Sequence, residues 1–347
     1  MTSPLTAWNV DASTFPRGGT RAEQARFAVA CAILAPSSHN TQPWKFVLVD
    51  DGLLVVADRS RSLPVIDPFD RELIISCGAA LFNLRVVFAR FGVPVEVTTF
   101  PQVGDPDVVA RVAFVAAGAA PAAGAAAADL GKLFDAIPLR ATNRRPYVEE
   151  PLPAELLDGL RTASAVEGIE LRLIDALADR ERLAALVADA DRRQFGDAHF
   201  RRELASWIHP SRSHDGMPAD SQGIRQLTDA ATPVVAMAIR TFDLGGGVAA
   251  SHERLARGSP LIAVLSTEVD DNEAWLLTGQ ALERVLLVAA KAGCSASYLN
   301  QPIEVPELRA RLAAETGAAK YPQLVLRIGR GPVVPHAPRR PLEEVLS

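Results

Sequence analysis

Two stretches of the chain are long, helical in period and apolar on almost every side. They run over Glu72–Phe91 and Glu273–Ala292. A helix without a polar face has to be buried, because water would otherwise contact its apolar side chains. The chain therefore needs a core that surrounds both helices.

The two apolar helices share local signals. Each contains a glycine, Gly78 or Gly279, and each ends at another glycine fourteen residues later, Gly92 or Gly293. Glycine is the residue that most often ends a helix. The paired glycines are 201 residues apart in both cases, since 279 − 78 and 293 − 92 give the same offset. A duplicated α+β unit is the economical interpretation, and chance similarity between two Ala- and Leu-rich helices is the alternative.

The remaining patterns fit two such units in one chain. Helical periods occur over 21–34, 153–163, 178–207 and 306–315, and strand-like runs occur over 44–49, 53–57, 93–99, 108–115, 169–174, 260–266, 294–299 and 323–328. An Ala/Gly/Pro-rich segment, Ala116–Ala128, predicts a connector. We therefore predict an N-terminal half over residues 1–120 and a C-terminal half over residues 121–347.

The second half carries a lid-like insertion over residues 191–258. This segment is charged and irregular in pattern, and loops of such length are usually functional covers or disordered. Its run Gly245–Gly247 follows no strand, so it indicates a hinge or turn and not a dinucleotide-binding loop. Trp207 and Met217 fit a lid and a core equally well.

Composition restricts the class of protein. With 347 residues, of which 48% are hydrophobic, the chain can bury a large core. A formal net charge of −5 gives no electrostatic reason to bind nucleic acid or an anionic membrane. Cys31, Cys77 and Cys294 are odd in number and lie in apolar surroundings, which predicts buried thiols in a reducing cytoplasm. We expect a cytoplasmic protein without a metal site.

The run Pro36–Trp44 is dense in polar groups. It reads Pro-Ser-Ser-His-Asn-Thr-Gln-Pro-Trp and joins a helical pattern to a strand pattern. A turn of this composition exposes backbone N–H groups and side-chain donors, which suits a planar, carbonyl-rich or anionic ligand. An ordinary polar loop is the alternative.

This run resembles the flavin-contacting loop of the nitroreductase family of FMN proteins, which are usually homodimers with two FMN sites across the interface. The family's second hallmark is an Arg-x-Ser-x-Arg motif that binds the flavin phosphate. Here a similar motif occurs at Arg140–Arg145, in the second half, and Thr162–Ala165 stands where a second Pro-Ser-Ser motif would fall. Each half holds the signature that the other lacks. The resemblance, closest to the fused Acg-like branch, thus implies an α+β pseudo-dimer with one composite FMN site.

The resemblance implies three groups of FMN-binding residues. Ser37, Ser38, Asn40 and Gln42, with Pro36, would supply donors to the pyrimidine edge of the ring. The phosphate would bind Arg140, Thr142, Asn143 and Arg144, together with Arg339 and Arg340 of the C-terminal tail, since guanidinium groups pair with phosphate oxygens bidentately. Leu299, Asn300 and Gln301 would lie near the hydride-accepting nitrogen. A solvated helix start and an ordinary basic tail are the alternatives for the two arginine groups.

The resemblance also implies an activity. NAD(P)H would reduce FMN, and a nitroaromatic, quinone-like or similar small acceptor would reoxidise it in a ping-pong cycle. No side chain needs to be a catalytic acid, because the cofactor performs the hydride chemistry. A permanently closed lid would instead make an FMN-storage protein. In either case we expect a monomeric pseudo-dimer or a weak homodimer.

Overall fold

A computed structural model describes residues 5–115, 129–218 and 229–347. The predicted connector at 116–128 lies outside these ranges, and so does the boundary at residue 120. The division into two halves at that point stays a prediction.

The elements largely follow the sequence patterns. The main helices are α1 (Arg21–Ala32), α2 (Arg71–Phe91), α3 (Ala154–Val166), α4 (Leu177–Gly196), α5 (Ala198–Ser206), α6 (Thr232–Thr241), α7 (Gly245–Arg257), α8 (Asn272–Lys291), α9 (Gln301–Glu304), α10 (Pro306–Thr316) and α11 (Leu342–Val345). The strands are β1 (Trp44–Val49), β2 (Gly52–Ala57), β3 (Val95–Thr99), β4 (Val108–Phe114), β5 (Glu170–Ile174), β6 (Ile208–His209), β7 (Met217–Pro218), β8 (Leu261–Thr267), β9 (Ser295–Tyr298) and β10 (Tyr321–Gly329).

Two antiparallel four-stranded sheets have the same internal order. The first is β1-β2-β4-β3 and the second is β5-β8-β10-β9. Central helix α2 follows the second strand of its sheet, and α8 does the same in the other sheet. The predicted α+β fold and its duplication are confirmed.

The two central helices meet at their equivalent glycines. A Cβ atom on Gly78 would lie 2.2 Å from the carbonyl oxygen of Leu276, and one on Gly279 would lie 2.0 Å from that of Ile75. Each carbonyl belongs to the residue three positions before a glycine, so the contact is reciprocal, as a pseudo-twofold axis requires. Helix α2 is apolar and long enough to cross a membrane, but 89% of its apolar window is buried, which is typical of a core helix.

The C-terminal tail crosses to the first sheet. The backbone N–H of Leu48 donates to the Ser347 carbonyl at 2.8 Å, and the N–H of Ser347 donates to the Phe46 carbonyl at 3.0 Å. Val345 and Leu346 are buried in the core around α2. The tail therefore carries its arginines from the second half to the first.

The segment between β5 and β8 is mainly helical in its described part. The irregular loop expected for 191–258 is therefore wrong there. The predicted helix over 178–207 divides at Asp197, whose carboxylate accepts a hydrogen bond from the His199 N–H and caps α5. Gly245–Gly247 form the first turn of α7 and not a hinge. The bend of 108° lies before them, between α6 and α7.

The insertion has an apolar cluster of its own. Buried side chains from α4 to α6 and from the two short strands pack against the N-terminal half, and the cluster comprises Leu63, Ile66, Phe195, Phe200, Leu204, Ile208, Met217 and Ile239. Trp207 packs beside it, half-buried. Elsewhere, Cys31, Cys77 and Cys294 are free and buried, as predicted.

Candidate functional site

The polar loop between α1 and β1 has a strained backbone. The φ angles of His39, Asn40 and Gln42 are 49°, 55° and 51°. Residues other than glycine adopt this left-handed region at a cost on the order of 1–3 kcal/mol each, and such residues concentrate at functional sites. A hydrogen bond of 2.9 Å from the Gln42 N–H to the Ser37 hydroxyl oxygen closes the loop, which starts at buried Pro36.

Two predicted phosphate-binding arginines converge on the start of this loop. Arg140 follows a short 3-10 helix and donates to the Leu34 carbonyl at 3.1 Å. Arg339 comes from the C-terminal tail and donates at 3.0 Å to the Leu34 and Ala35 carbonyls and to Asn40 Oδ1. The structure thus brings together the loop, the arginine motif and the tail, although they are distant in sequence.

Positive charge exceeds negative charge around these two arginines. Both are buried, and the carboxylate of fully buried Glu283 lies 3.8 Å from Arg140 Nε. Within the described part of the chain, the Nε atoms of Arg140 and Arg339 have no hydrogen-bond partner. Burial raises the pKa of Glu283 to about 7, and burial, with the charge of Arg140, lowers the pKa of Arg339. A buried, incompletely neutralised charge of this kind favours a bound anion.

Arg144 is half-buried and contacts a thioether sulfur. Its guanidinium lies 3.8 Å from the Met217 sulfur, and no carboxylate of the described residues lies within ion-pair distance. Burial lowers the pKa of Arg144. Burial, and then the charge of Arg144, lower the pKa of His39 to about 4, so this imidazole is neutral near pH 7. His39 Nδ1 and the Tyr298 hydroxyl are buried without a hydrogen-bond partner among the residues described.

Thr142 and Asn143 attach the arginine segment to the second sheet. Thr142 pairs with Ala296 of β9 in a parallel bridge, and the Asn143 N–H donates to the Ala296 carbonyl at 2.9 Å. The side-chain amide of Asn143 donates to the Pro332 carbonyl at 2.9 Å, and Asn143 is fully buried. Asn143 is thus held on the second sheet, and its own amide is engaged with the backbone.

The side chains of the third predicted group, Leu299, Asn300 and Gln301, lie in three different surroundings. Leu299 is buried in the core between the second sheet and α4. Asn300 accepts a hydrogen bond from the Val325 N–H at 3.0 Å and donates to Glu72 Oε1 at 3.3 Å. Gln301 donates to Asp191 at 3.3 Å, on the side of the insertion. Of the three side chains, only that of Asn300 reaches a residue that contacts the loop.

Glu72 is the residue that connects them, and the sequence interpretation missed it. It lies in the first turn of α2 and is buried. Its carboxylate accepts hydrogen bonds from Ser38 of the loop, from Asn300 of the second half and, at 2.8 Å, from Arg71. An acidic residue at the start of an otherwise apolar helix is the signal that could have identified it.

Part of the insertion covers the polar loop; we call residues 206–218 the cover segment. The Asn40 amide donates to the Gly216 carbonyl at 3.0 Å, and the Gln42 amide donates to the His214 carbonyl at 2.8 Å. The tail binds Gln42 from another side, since the Arg340 N–H donates to Gln42 Oε1 at 2.8 Å. The predicted donors of Asn40 and Gln42 are thus engaged by protein groups.

An ion pair holds the cover segment to the N-terminal half. Arg61 donates both to the carboxylate of Asp215 and to the Thr41 carbonyl of the loop. His209 Nδ1 lies 2.9 Å from Asp215 Oδ1. Burial alone would raise the pKa of Asp215, but hydrogen bonds from His209 and Arg61 lower it to about 2. The same hydrogen bond raises the pKa of His209.

Trp8 is a second residue that the sequence interpretation missed. The guanidinium of Arg339 lies 4.7 Å from the centre of its ring, and His336 stacks on the ring at 4.0 Å. Its indole N–H donates to the Ala337 carbonyl at 2.9 Å. Trp8 therefore covers the buried arginines from outside, and no pattern in the first twenty residues indicates this.

Comparison with known proteins gives relatives over nearly the whole chain. It is 34% identical over 332 residues to the Mycobacterium tuberculosis protein named "Putative NAD(P)H nitroreductase Rv3131", covering 94% of this chain and 92% of that one. It is 32% identical over 329 residues to "Putative NAD(P)H nitroreductase acg" of the same organism, covering 92% and 93%. No protein-family model matches the chain. A solved structure, the FMN-dependent nitroreductase NfnB from Mycobacterium smegmatis in complex with NADPH, aligns with 62% of this chain and 97% of its own at 15% identity, with a TM-score of 0.40.

Proposed function

The chain belongs to the nitroreductase family, in the branch that contains Acg, and from this membership we propose that it is an FMN-binding oxidoreductase that uses NAD(P)H. One FMN binds per chain, in a composite site. The loop Ser37–Gln42 forms one side of that site and the segment Arg140–Arg144 forms the other. Because one chain supplies both sides, the proposal needs no second subunit.

The observation that carries the proposal is the excess of buried positive charge at the loop. Arg140 and Arg339 approach the same carbonyl, that of Leu34, with one carboxylate nearby. Planar guanidinium groups with free N–H bonds suit the doubly charged phosphate of FMN. Two further donors are Arg144, which has no carboxylate partner among the described residues, and the Tyr298 hydroxyl, which has no hydrogen-bond partner among them. These four side chains would hold the phosphate end.

When bound, FMN supplies the hydride chemistry, and the residues of this chain hold and orient it. The neutral imidazole of His39 and the hydroxyl groups of Ser37 and Ser38 lie on the loop that faces the ring. The electron donor is NAD(P)H, and the acceptors are nitroaromatic, quinone-like or similar small molecules that enter in turn. We place this reaction in the cytoplasm, as composition predicts.

A second function, storage of FMN, has a specific observation in its favour. The cover segment lies directly on the loop, and its carbonyls accept hydrogen bonds from Asn40 and Gln42. Arg61 and Asp215 hold it there. If the segment stays closed after FMN binds, substrates cannot reach the ring, and the protein stores the cofactor.

Anaerobic reduction distinguishes the two functions. The full-length protein is purified, its visible flavin spectrum is recorded, and NADH or NADPH is added without oxygen. Bleaching of the flavin by either nucleotide, followed by reoxidation with a nitroaromatic or a quinone, is the result expected of an oxidoreductase. Bound flavin that neither nucleotide bleaches would support storage. A colourless protein that does not take up added FMN would contradict both.

A further inference from the structure

The hydroxyl hydrogen of Ser38 is already engaged. Ser38 lies at the start of a short 3-10 helix and is half-buried, and its hydroxyl is hydrogen-bonded to the Glu72 carboxylate. A hydroxyl has one hydrogen to donate and two lone pairs that accept. The direction of this one bond decides what Ser38 can offer a ligand.

The Glu72 carboxylate is paired with a guanidinium. Its Oε1 atom lies 2.8 Å from Arg71 Nη2, and Arg71 is itself buried beside the second half, where it donates to the Gln323 carbonyl. An ionised carboxylate only accepts hydrogen bonds. Ser38 must therefore donate to Glu72, and only its lone pairs remain for a ligand.

Two further carboxyl groups lie near this ion pair. Asp67, on the loop before α2, is buried, and burial together with the charge of Glu72 raises its pKa to about 6. Burial and Glu72 also raise the pKa of Glu304, in the second half. Arg71 is the cation that faces these three carboxyls and pairs with Glu72.

Asn300, which also contacts Glu72, offers a ligand a hydrogen-bond donor. Its Oδ1 accepts from the Val325 N–H, and one hydrogen of its amide goes to Glu72. The second amide hydrogen remains for a ligand. Glu72 therefore leaves an acceptor on Ser38 and a donor on Asn300.

We propose that Glu72 is a positioning residue that makes Ser38 accept, and not donate, the hydrogen bond to the flavin. The inference rests on the proposed FMN site and adds which atom Ser38 recognises. The pyrimidine end of a flavin carries an imide N–H between two carbonyl oxygens. If the Ser38 hydroxyl accepts a hydrogen bond, its partner is the imide N–H. If it donated one, its partner would be a flavin carbonyl oxygen.

Binding of FMN labelled with ¹⁵N at the imide tests this proposal on the full-length protein. NMR reports the imide proton of bound FMN, and a titration reports the dissociation constant. The variants are Ser38→Ala, Glu72→Gln, Glu72→Asp and the double variant Ser38→Ala/Glu72→Gln. Glu155→Gln, an exposed carboxyl in the first turn of α3, is the matched control.

We expect Ser38→Ala to move the imide proton resonance toward that of free FMN and to weaken binding roughly tenfold. Glu72→Gln can donate to Ser38 and turn the serine hydrogen toward the ligand, so it should move the same resonance. Glu72→Asp keeps the charge, but its shorter side chain withdraws from Ser38, so it should also move the imide resonance. This variant provides the test if Glu72→Gln does not fold. The double variant should be no worse than Ser38→Ala alone, and the control should match the wild type.

Two results would overturn the inference. If the wild type binds FMN and Ser38→Ala leaves the imide resonance unchanged, Ser38 does not accept from the imide. If a Glu72 substitution weakens FMN binding as much in the Ser38→Ala background as in the wild type, Glu72 does not act through Ser38. Failure of the wild type to bind FMN would be a separate result, and it would overturn the proposed function as well.

Discussion

Gly78 and Gly279 lie against each other where α2 crosses α8, and each packs on the backbone carbonyl three residues before the other. Because the contact involves backbone on both sides, no side-chain rotation can make room for a larger residue. The two halves of the molecule, and with them the two sides of the candidate site, are joined at this point.

Gly78→Ala should therefore destabilise the protein. The new Cβ would lie 2.2 Å from a carbonyl oxygen, and overpacking of this kind typically costs about 1–3 kcal/mol. Gly159→Ala is the control, because α3 leaves its Cβ 3.8 Å from the nearest side chain and alanine favours helix by up to about 1 kcal/mol. Urea denaturation measures both. Equal midpoints for the two variants would show that the helices do not meet at the glycines.

Arg144→Gln should weaken FMN binding without weakening the fold. The guanidinium is half-buried without a carboxylate partner among the described residues, so its removal relieves an unfavourable charge in the ligand-free protein. A charge-assisted hydrogen bond to phosphate contributes about 1.5–3 kcal/mol, so affinity should fall at least tenfold. Flavin fluorescence gives the affinity and thermal denaturation gives the stability. Arg161→Gln, on the exposed face of α3, is the control. A large loss of stability with unchanged affinity would contradict a role in binding.

Asp215→Asn should open the cover segment. The variant loses the ion pair with Arg61 and the hydrogen bond from protonated His209. Faster dissociation of FMN and faster reduction by NAD(P)H are expected, with stability of the remaining fold nearly unchanged. Asp158→Asn, an exposed residue of α3, serves as control. Stopped-flow mixing measures both rates. If the variant and the wild type release FMN at the same rate, the cover segment does not limit access.

Closure of the cover segment should also depend on pH through His209. The hydrogen bond to Asp215 raises the pKa of His209 above its usual 6.5. A raised pKa means that the stabilisation is fully present below the unfolded value and is lost as the pH rises through the folded value. FMN release should therefore become faster above about pH 6.5, and His209→Gln should remove most of that dependence. A wild-type release rate that is flat from pH 6 to 8 would be evidence against the contact.

The stability of the whole protein should depend on pH through Glu283. Burial raises its pKa from the usual 4.5 to about 7, so the folded state binds the proton more tightly than the unfolded state. Stability should then fall as the pH rises between these two values. Glu283→Gln cannot ionise, and its unfolding free energy should lose this slope. Urea denaturation from pH 4.5 to 8 tests it; identical slopes for both proteins would mean that the carboxyl is not buried as described.

Much of the fold follows from local patterns. The apolar period of α2 and α8 and the glycines after them predicted both helices to within one or two residues, because burial on all sides leaves a strong signal. The insertion at 191–258 was predicted, but its helices α6 and α7 were not. They bury few side chains, and these pack against residues such as Leu63 and Ile66, which come from a distant part of the chain.

The candidate site is predictable only in part for a related reason. Ser37–Gln42 and Arg140–Arg144 were predicted because they resemble the two flavin-binding motifs of the nitroreductase family. Glu72 and Trp8 were missed because their importance comes from partners brought near by the tertiary fold. The engagement of the Asn40 and Gln42 amides by backbone carbonyls of the cover segment is likewise invisible in the local sequence.

In the function proposed above, one chain builds one complete FMN site from its two halves. Native mass spectrometry of the full-length protein, titrated with FMN, tests it most directly, because it reports the number of chains and of FMN molecules in the same particle. We expect a single chain carrying one FMN, and we expect this species to be less abundant in Arg144→Gln. FMN found only on particles of two chains, or two FMN molecules on one chain, would contradict it.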